Sequence, residues 1–215
     1  ASGLRRGKDS DGRVRRAVSP NAVGAPVNFT FPRTAFSFVT LDGNRSAGNL
    51  TFGNTNGFEW YLSTNNGSVL TLATTSGTPT ITTQDVTTTI TPAIAGTQGI
   101  VKNGPGTLAL TAANSYSGNT AINGGVLSIG SLTGNGNNSN IGKGSTLSFD
   151  SGTLRYTGAS VGAANFNRDI TLNSGGGTLD AAMTGFWFSS GVISGTGPLT
   201  KTGAGQFITS GSNTF

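Results

Sequence analysis

Carboxylates are the first side chains of this sequence to consider for chemistry, because pairs of them can act as acid and base in polysaccharide cleavage. The chain has 215 residues, only eight of them Asp or Glu, and no His or Cys. The lack of His excludes a Ser–His–Asp triad, and the lack of Cys excludes thiolate chemistry and disulfides. The acidic residues beyond the N-terminus are Asp42, Glu59, Asp85, Asp150, Asp169 and Asp180. Stacked strands could bring Asp150 near Asp169 or Asp180, but with so few acids we predict solvent-facing or corner roles, no catalytic residue and no cofactor.

Two Gly-rich patterns match ligand-binding motifs only in part. Residues 175–180 approach a calcium-binding nonapeptide, but the spacing is wrong and there is no second copy, so we predict a turn and no metal site. Lys102 and Lys201 each precede a Gly-x-Gly, whereas a phosphate loop needs Lys after its last Gly and at the start of a helix. We predict that both lysines are solvated charges at a corner, where they oppose aggregation between stacked strands.

Two aromatic clusters are candidates for stacking on sugar rings. The first contains Trp60 and Tyr61, and the second is residues 186–188, with Trp187 at its centre. Aromatic residues that alternate along a narrow coil belong more often to the core or to its end caps. We therefore keep glycan stacking by Trp60, Tyr61 and Trp187 as a secondary hypothesis.

Positive charge is concentrated at the N-terminus. The formal net charge is +5, and the segment 1–16 holds six basic and two acidic side chains. Residues 1–24 are polar and aperiodic, which predicts a flexible basic arm. The arm is a linker, a ligand for polyanions or a contact with a neighbouring subunit; nucleic acid is a disfavoured partner because the rest of the chain is nearly neutral. The candidate contacts with a polyanion or subunit are Arg5, Arg6, Lys8, Arg13, Arg15 and Arg16.

Short strands must position all of these residues, because one phrase recurs along the chain: Gly or Ser, any residue, Leu, any residue, and a large apolar residue. Each copy is a strand with two apolar side chains on one face. Such a strand cannot bury that face alone, so copies must stack into a solenoid with a unit of roughly 20 residues. We also predict a polar loop at residues 134–140 that protrudes from a corner. The copies are residues 48–52, 68–72, 106–110, 125–129, 145–149, 152–156 and 177–181.

A longer unit recurs near the end of the chain, where positions 201–215 repeat the pattern of positions 102–116. A register held over so many positions indicates a true repeat rather than chance similarity. The shift aligns Lys102 with Lys201, Gly104 with Gly203, Gly106 with Gly205, Leu108 with Phe207, Asn114 with Asn213 and Tyr116 with Phe215.

Residues 100–127 closely resemble the autotransporter-associated β-strand repeat, also called the passenger-associated transport repeat. The family phrase runs Gly-Leu-x-Lys-x-Gly-x-Gly-Thr-Leu-x-Leu, then Asn-x-Tyr-x-Gly-x-Thr and Gly-x-Leu, and a second copy starts at Lys201. The resemblance covers residues 45–215 and implies a right-handed parallel β-helix in an exported bacterial protein. Because the second copy stops mid-phrase at Phe215, we interpret the chain as a fragment or as a member exported by another route.

These observations predict an all-β chain with a flexible basic arm at residues 1–24, a capping or first-turn region at 25–47 and elongated β-helix repeats at 48–215. No apolar run approaches the roughly 18 residues of a membrane-spanning helix. We predict an extracellular structural or adhesive scaffold of a bacterial surface or secreted protein. Self-association through the solenoid ends or the arm would extend it into a fibre. The alternative is a β-helix that binds or cleaves polysaccharides, with a surface glycan as its partner.

Overall fold

The computed structural model describes residues 22–30, 37–53, 56–159 and 166–215 of the chain. These residues form short β-strands joined by turns and loops, and none of them is helical. The strands are β1 (Val27–Phe29), β2 (Ser37–Leu41), β3 (Arg45–Ala47), β4 (Leu50–Phe52), β5 (Trp60–Thr64), β6 (Leu70–Leu72), β7 (Thr80–Thr83), β8 (Thr87–Ile90), β9 (Ile94–Ala95), β10 (Ile100–Asn103), β11 (Thr107–Leu110), β12 (Thr120–Ile122), β13 (Val126–Ile129), β14 (Thr146–Phe149), β15 (Gly152–Tyr156), β16 (Asp169–Leu172), β17 (Gly177–Ala181), β18 (Phe186–Ser189), β19 (Ile193–Gly195), β20 (Leu199–Thr202) and β21 (Gln206–Thr209).

The strands wind into a parallel β-solenoid of about seven turns. Within the described ranges, the first face stacks eight strands in the order β1-β4-β7-β10-β12-β14-β16-β19, and the second face stacks β2-β5-β8-β11-β13-β15-β17-β20. The third face carries β3-β6-β9 in the N-terminal part and β18-β21 in the C-terminal part. The predicted all-β solenoid is therefore confirmed, while its right-handedness stays a prediction.

Alternation of side chains along each strand builds the core. Leu108 and Leu110 of β11 are buried, and the two residues that alternate with them are only half-buried on the outer side. The parallel register places Leu108 against Leu127 of the next turn, which faces Leu154 and then Leu179. Burying one such side chain contributes about 1.5–3 kcal/mol, so each added turn supports the one before it.

Copies of the repeated phrase do not form one column. Two copies form β4 and β14 on the first face, one forms β6 on the third face, and four form β11, β13, β15 and β17 on the second face. The length of a turn also varies, because the step from Leu50 to its register partner Ile81 is much longer than the step from Lys102 to its partner Ile122. The copies stack into a solenoid as predicted, but the unit of roughly 20 residues is not constant, because the phrase encodes a turn and an alternating strand that any face can use.

Close packing between turns explains why the phrase opens with a small residue. A Cβ atom on Gly106 would overlap the backbone oxygens of Gln84 and Val86 on the preceding turn. The amide of Gly106 donates to Thr83 O at 3.0 Å, which fixes this close approach. A larger residue at this position would separate the two turns.

Residues 25–47 contain β1, β2 and β3, which pair in parallel with β4, β5 and β6 and so supply the first turn. Aromatic rings fill the core at this end. Phe29 stacks on Phe52 with ring centroids 4.7 Å apart and an interplanar angle of 9°, and Trp60 tilts against Phe29 at 5.4 Å. These contacts join the first turn to the second.

Candidate functional site

The six basic residues predicted to contact a polyanion or a neighbouring subunit lie outside the described residues. Their role is not addressed by the structure and stays a prediction. They are Arg5, Arg6, Lys8, Arg13, Arg15 and Arg16.

Two of the three aromatic residues predicted to stack on sugars belong to the core. Trp60 is 1% exposed, and its Nε1 donates to Gly53 O at 3.3 Å. Trp187 is 0% exposed and lies edge-on to the rings of Phe166 and Phe207. Stacking on a sugar needs an exposed ring face, so the prediction is wrong for Trp60 and Trp187.

The third aromatic residue, Tyr61, lies on the outer side of β5 beside Phe38 of β2. The two residues are register partners, and their rings meet edge to face with centroids 5.4 Å apart. Phe38 is 54% exposed and Tyr61 is half-buried. This outer aromatic pair (Phe38 and Tyr61) offers apolar surface with a polar phenol at its edge, a combination common in binding surfaces.

A polar loop, residues 133–144, follows β13 on the third side of the solenoid; we call it the Asn loop. Its tip, residues 135–138, is exposed, as predicted for the protruding segment at 134–140. Its base is not, because Ser139 and Asn140 are 1% and 3% exposed. The Asn loop is therefore a buried base that carries a solvent-facing tip.

Asn140 connects the base of the Asn loop to the preceding turn. Its side-chain Oδ1 accepts the amides of Gly130 and Ser131 at 3.0 and 2.7 Å, and its Nδ2 donates to Ala112 O at 2.7 Å. Its backbone oxygen accepts a hydrogen bond from Asn114 Nδ2 at 2.6 Å. These bonds use both ends of the amide, so the base of the loop is held in one arrangement.

Arg168 holds the Asn loop from the following turn. Its side chain is 1% exposed, and its guanidinium donates to Thr133 O at 3.3 Å, to Ser139 Oγ at 3.2 Å and to Gly142 O at 2.7 Å. A further short hydrogen bond reaches Gly144 O. We call these contacts the Arg168 clamp.

Burial sets the electrostatics of the Arg168 clamp. Desolvation lowers the pKa of Arg168, which nevertheless stays protonated because guanidinium is a very weak acid. Its acceptors in this loop are carbonyl and hydroxyl oxygens, so dipoles rather than a carboxylate stabilise the cation. Sequence reasoning missed Arg168; its one signal was a basic residue in a weakly charged segment.

Lys102 is buried, so the prediction that it is a solvated charge is wrong. It is 0% exposed, and its Nζ donates to Asn103 O at 2.9 Å, to Gly104 O at 2.8 Å and to Gly124 O on the next turn at 3.1 Å. Gly104 has a φ of 80°, a left-handed turn conformation that suits Gly. Lys102 thus binds two successive turns, whereas Lys201 is exposed as predicted.

Raising the pH from 8 to 10 is expected to increase the free energy of unfolding by on the order of 2 kcal/mol. Burial lowers the pKa of Lys102 from 10.5 to about 8. Between pH 8 and 10 the unfolded chain therefore binds more protons than the folded chain. Stability then rises with pH in this interval. Above pH 10 stability should fall again, because burial raises the pKa of Tyr116 and only the unfolded chain ionises there. Urea titrations at each pH measure both effects.

Matched lysine variants provide the control for this pH profile. The Lys102→Met variant should lose the rise between pH 8 and 10 and, at pH 7, about 2 kcal/mol of stability because three carbonyl groups lose their donor. The Lys201→Met variant should keep the rise. A profile that is flat in the original chain, or a rise that survives in Lys102→Met, would contradict the burial of this ammonium.

The carboxylates have structural roles at turns and on the outer surface. Asp150, Asp169 and Asp180 each accept a hydrogen bond from a neighbouring turn, as expected for corner residues. In the part of the chain that the structure describes, no three His, Cys, Asp or Glu residues group to hold a metal ion. The contacts are Asp150 Oδ1 with Gly175 N at 2.9 Å, Asp169 Oδ1 with Val192 N at 2.9 Å, and Asp180 Oδ2 with Arg155 Nε at 2.7 Å.

Comparison with known proteins agrees with this architecture. The family model described as passenger-associated-transport-repeat matches residues 100–129 and 199–215. The adhesin BmaC autotransporter of Brucella suis biovar 1 (strain 1330) is 38% identical over 123 residues, which is 54% of this chain and 4% of that relative. No solved structure matches the chain.

The stacked turns and the two matched segments define the class: the chain is an autotransporter-associated repeat protein of the β-solenoid type. It is a bacterial surface or extracellular protein. None of its described residues forms a helix that is long and apolar enough to cross a bilayer.

Proposed function

We propose that this chain is an adhesive scaffold that holds the Asn loop rigidly at the bacterial surface for contact with another surface. The Arg168 clamp carries the proposal, because a buried guanidinium donates several hydrogen bonds to one polar loop and so fixes its position. The relative that is named an adhesin supports an adhesive role, and the chain spans about 4% of that relative's length.

The Asn loop has the chemistry of a polar binding surface. Residues 135–138 are exposed, and their amides and backbone offer both donors and acceptors. Asn167 extends this surface from the next turn: its Oδ1 accepts the amide of Asn135 at 2.8 Å, and its Nδ2 donates to Asn135 Oδ1 at 3.3 Å. A loop held in advance loses less conformational entropy when it binds, which favours adhesion by weak polar contacts.

Beads coated with the chain test this role. We expect them to adhere to wells coated with cultured cells or extracellular matrix, and we expect the triple variant Asn135→Ser, Asn137→Ser, Asn138→Ser to adhere at least several-fold less. Ser keeps the loop small and polar but removes the two-ended amides. Adhesion is measured as the fraction of beads retained under flow.

Arg155→Met is the matched control for the bead assay. Arg155 lies on the outer side of the second face, where it pairs with Asp180, so its loss should leave adhesion unchanged. Equal retention of the triple variant and the original chain would refute the role of the Asn loop. Equal retention of uncoated and coated beads would refute adhesion itself.

The outer aromatic pair supports a second function, glycan binding. Phe38 and Tyr61 present apolar surface beside a hydroxyl, which suits the face of a sugar ring. Soluble glycans separate the two functions in the bead assay. If they displace beads and Tyr61→Ser alone abolishes retention, the aromatic pair, and not the Asn loop, is the adhesive site.

We further propose that copies of this scaffold associate end to end into a fibre. A parallel strand without a neighbour on one side has backbone groups that a further strand can pair with, so association would run end to end along the stacked strands. Association of this kind would lengthen the rod.

A further inference from the structure

We propose that the Asn loop binds an anionic polysaccharide, a chain of sugars that carry carboxylate or sulfate groups, and that Lys143 contacts the anionic group. The inference deepens the proposed adhesive function and rests on it, because it names the class of ligand for the same loop. Its evidence is the balance of charge around the loop, the position of Lys143 and the polar composition of the exposed tip.

Positive charge outweighs negative charge around the Asn loop. No charged residue occurs between Lys102 and Lys143, so the preceding turn brings no carboxylate to the loop. Lys143 belongs to the loop itself, and the buried guanidinium of Arg168 binds its base. The neighbouring acid, Asp169, instead accepts the amide of Val192 on the following turn at 2.9 Å. Salt screens a buried charge less than an exposed one, so Arg168 adds to the positive potential at the loop.

Lys143 is the accessible cation of the Asn loop. Its backbone lies beside the exposed tip, because its oxygen accepts the amide of Gly136 at 2.8 Å and its amide donates to Tyr116 O at 2.9 Å. Its side chain is only half-buried, and among the described residues its ammonium has no hydrogen-bond or ion-pair partner. A lysine binds an anionic oxygen as a point charge on a flexible stem. The ammonium of Lys143 is therefore available to an anionic group that lies against the tip.

Side-chain amides add neutral donors to this charge. Asn167 is exposed and uses one of the two N–H groups of Nδ2 on Asn135 Oδ1 at 3.3 Å. Asn138 is also exposed, and within the described ranges its side-chain amide makes no hydrogen bond. Such donors bind the remaining oxygens of a carboxylate or sulfate group. The Asn loop thus offers one cation and several amides to the same ligand.

The composition of the tip favours a sugar chain over a protein partner. Ile141 is the one large apolar residue of positions 133–144, and it is 1% exposed. Protein interfaces are centred on buried apolar and aromatic side chains, which this tip does not offer. Sugars present many hydroxyl groups, and an amide can donate to one hydroxyl and accept from another. Amides next to a cation therefore fit a polysaccharide that carries acidic groups.

Fluorescence anisotropy with labelled oligosaccharides tests this assignment. Oligogalacturonate supplies carboxylate groups, dextran sulfate supplies sulfate groups and dextran is the neutral control. We expect a saturable rise in anisotropy with at least one anionic probe and none with dextran, and the probe that binds identifies the anionic group. Every protein in the assay is the full chain with a neutral N-terminal arm, so that the arm does not bind the probes. The substitutions in the arm are Arg5→Gln, Arg6→Gln, Lys8→Gln, Arg13→Gln, Arg15→Gln and Arg16→Gln.

Matched lysine variants locate the binding. Lys143→Gln should bind the anionic probe at least about fivefold more weakly, because a hydrogen bond to a charged group is lost. Lys143→Arg should keep the binding, as should Lys201→Gln, which removes the same charge from an exposed lysine outside the loop. Tyr61→Ser should also keep it, which separates the Asn loop from the outer aromatic pair. Equal binding by Lys143→Gln and Lys201→Gln would overturn the proposal. So would equally tight, Lys143-dependent binding of polyglutamate, since the ligand would then be an acidic polypeptide.

The bead assay distinguishes failure of this inference from failure of the proposed function. We expect the anionic oligosaccharide that binds to displace the beads, and we expect beads with Lys143→Gln to adhere several-fold less. Adhesion that requires the three Asn residues of the tip but survives both the oligosaccharide and Lys143→Gln would refute the anionic ligand and leave the adhesive loop standing. Coated beads that fail to adhere while Lys143-dependent anisotropy persists would refute adhesion and leave the polysaccharide site standing.

Discussion

The Arg168→Met variant is expected to lose about 3–5 kcal/mol of unfolding free energy. Met fills a similar volume but supplies no donor, so oxygens of Thr133, Ser139, Gly142 and Gly144 lose the hydrogen bonds that the guanidinium donates. These acceptors lie at the base of the Asn loop, where water cannot replace a guanidinium without opening the base. Urea denaturation followed by circular dichroism gives the free energy.

A matched variant separates the Arg168 clamp from a general effect of charge. Arg155 in β15 also carries a guanidinium, but its ion pair with Asp180 lies on the outer surface. Its side chain is 44% exposed. Arg155→Met should therefore cost at most about 1 kcal/mol. Equal losses for the two variants would contradict the clamp. Loss of bead adhesion at temperatures where Arg168→Met remains folded would connect the clamp to the proposed function.

Strands were predictable from this sequence, whereas their positions around the solenoid were not. The alternation of Leu108 and Leu110 with smaller residues indicates a strand that buries one of its two faces. It does not state which face of the solenoid receives the strand, because the same phrase forms β6 and β14 on other faces. The order of faces depends on the lengths of the intervening loops, which local patterns do not encode.

Buried polar groups were the main errors of the sequence analysis. Lys102 occupies an inward-facing position of β10, two residues after the buried Ile100. A lysine usually prefers solvent, but here three carbonyl groups accept hydrogen bonds from the buried ammonium. Glycan stacking by Trp60 and Trp187 was the secondary hypothesis, and both rings fill the core, which the alternation of aromatic residues along a narrow coil favoured. Arg168 depends on contacts with a loop that lies far before it in the sequence, so no local pattern reveals it.

Tyr116→Ala is expected to lose about 3–5 kcal/mol of unfolding free energy, the usual cost of emptying a buried aromatic site. Tyr116 is 1% exposed, and its hydroxyl lies 2.7 Å from Thr120 Oγ1, which itself donates to Ile141 O at 3.1 Å. The substitution therefore creates a cavity and removes one member of a buried hydrogen-bonded chain. The backbone oxygen of Tyr116 also accepts the amide of Lys143, so the cavity adjoins the end of the Asn loop.

Phe215→Ala is the matched substitution at the other copy of the phrase. Phe215 is 57% exposed, so its truncation should cost less than about 1 kcal/mol. Sequence position alone makes the two residues equivalent, and only the stacking of turns distinguishes them.

The difference between these two free energies tests the central claim most directly, namely that residues 102–116 lie inside a stacked solenoid where the next turn covers them, whereas the equivalent residues 201–215 are exposed in this structure. Urea denaturation of Tyr116→Ala and Phe215→Ala under one set of conditions measures it. Stacked turns predict that Tyr116→Ala costs at least about 2 kcal/mol more than Phe215→Ala. Equal costs, or a larger cost at Phe215, would contradict the stacking of turns.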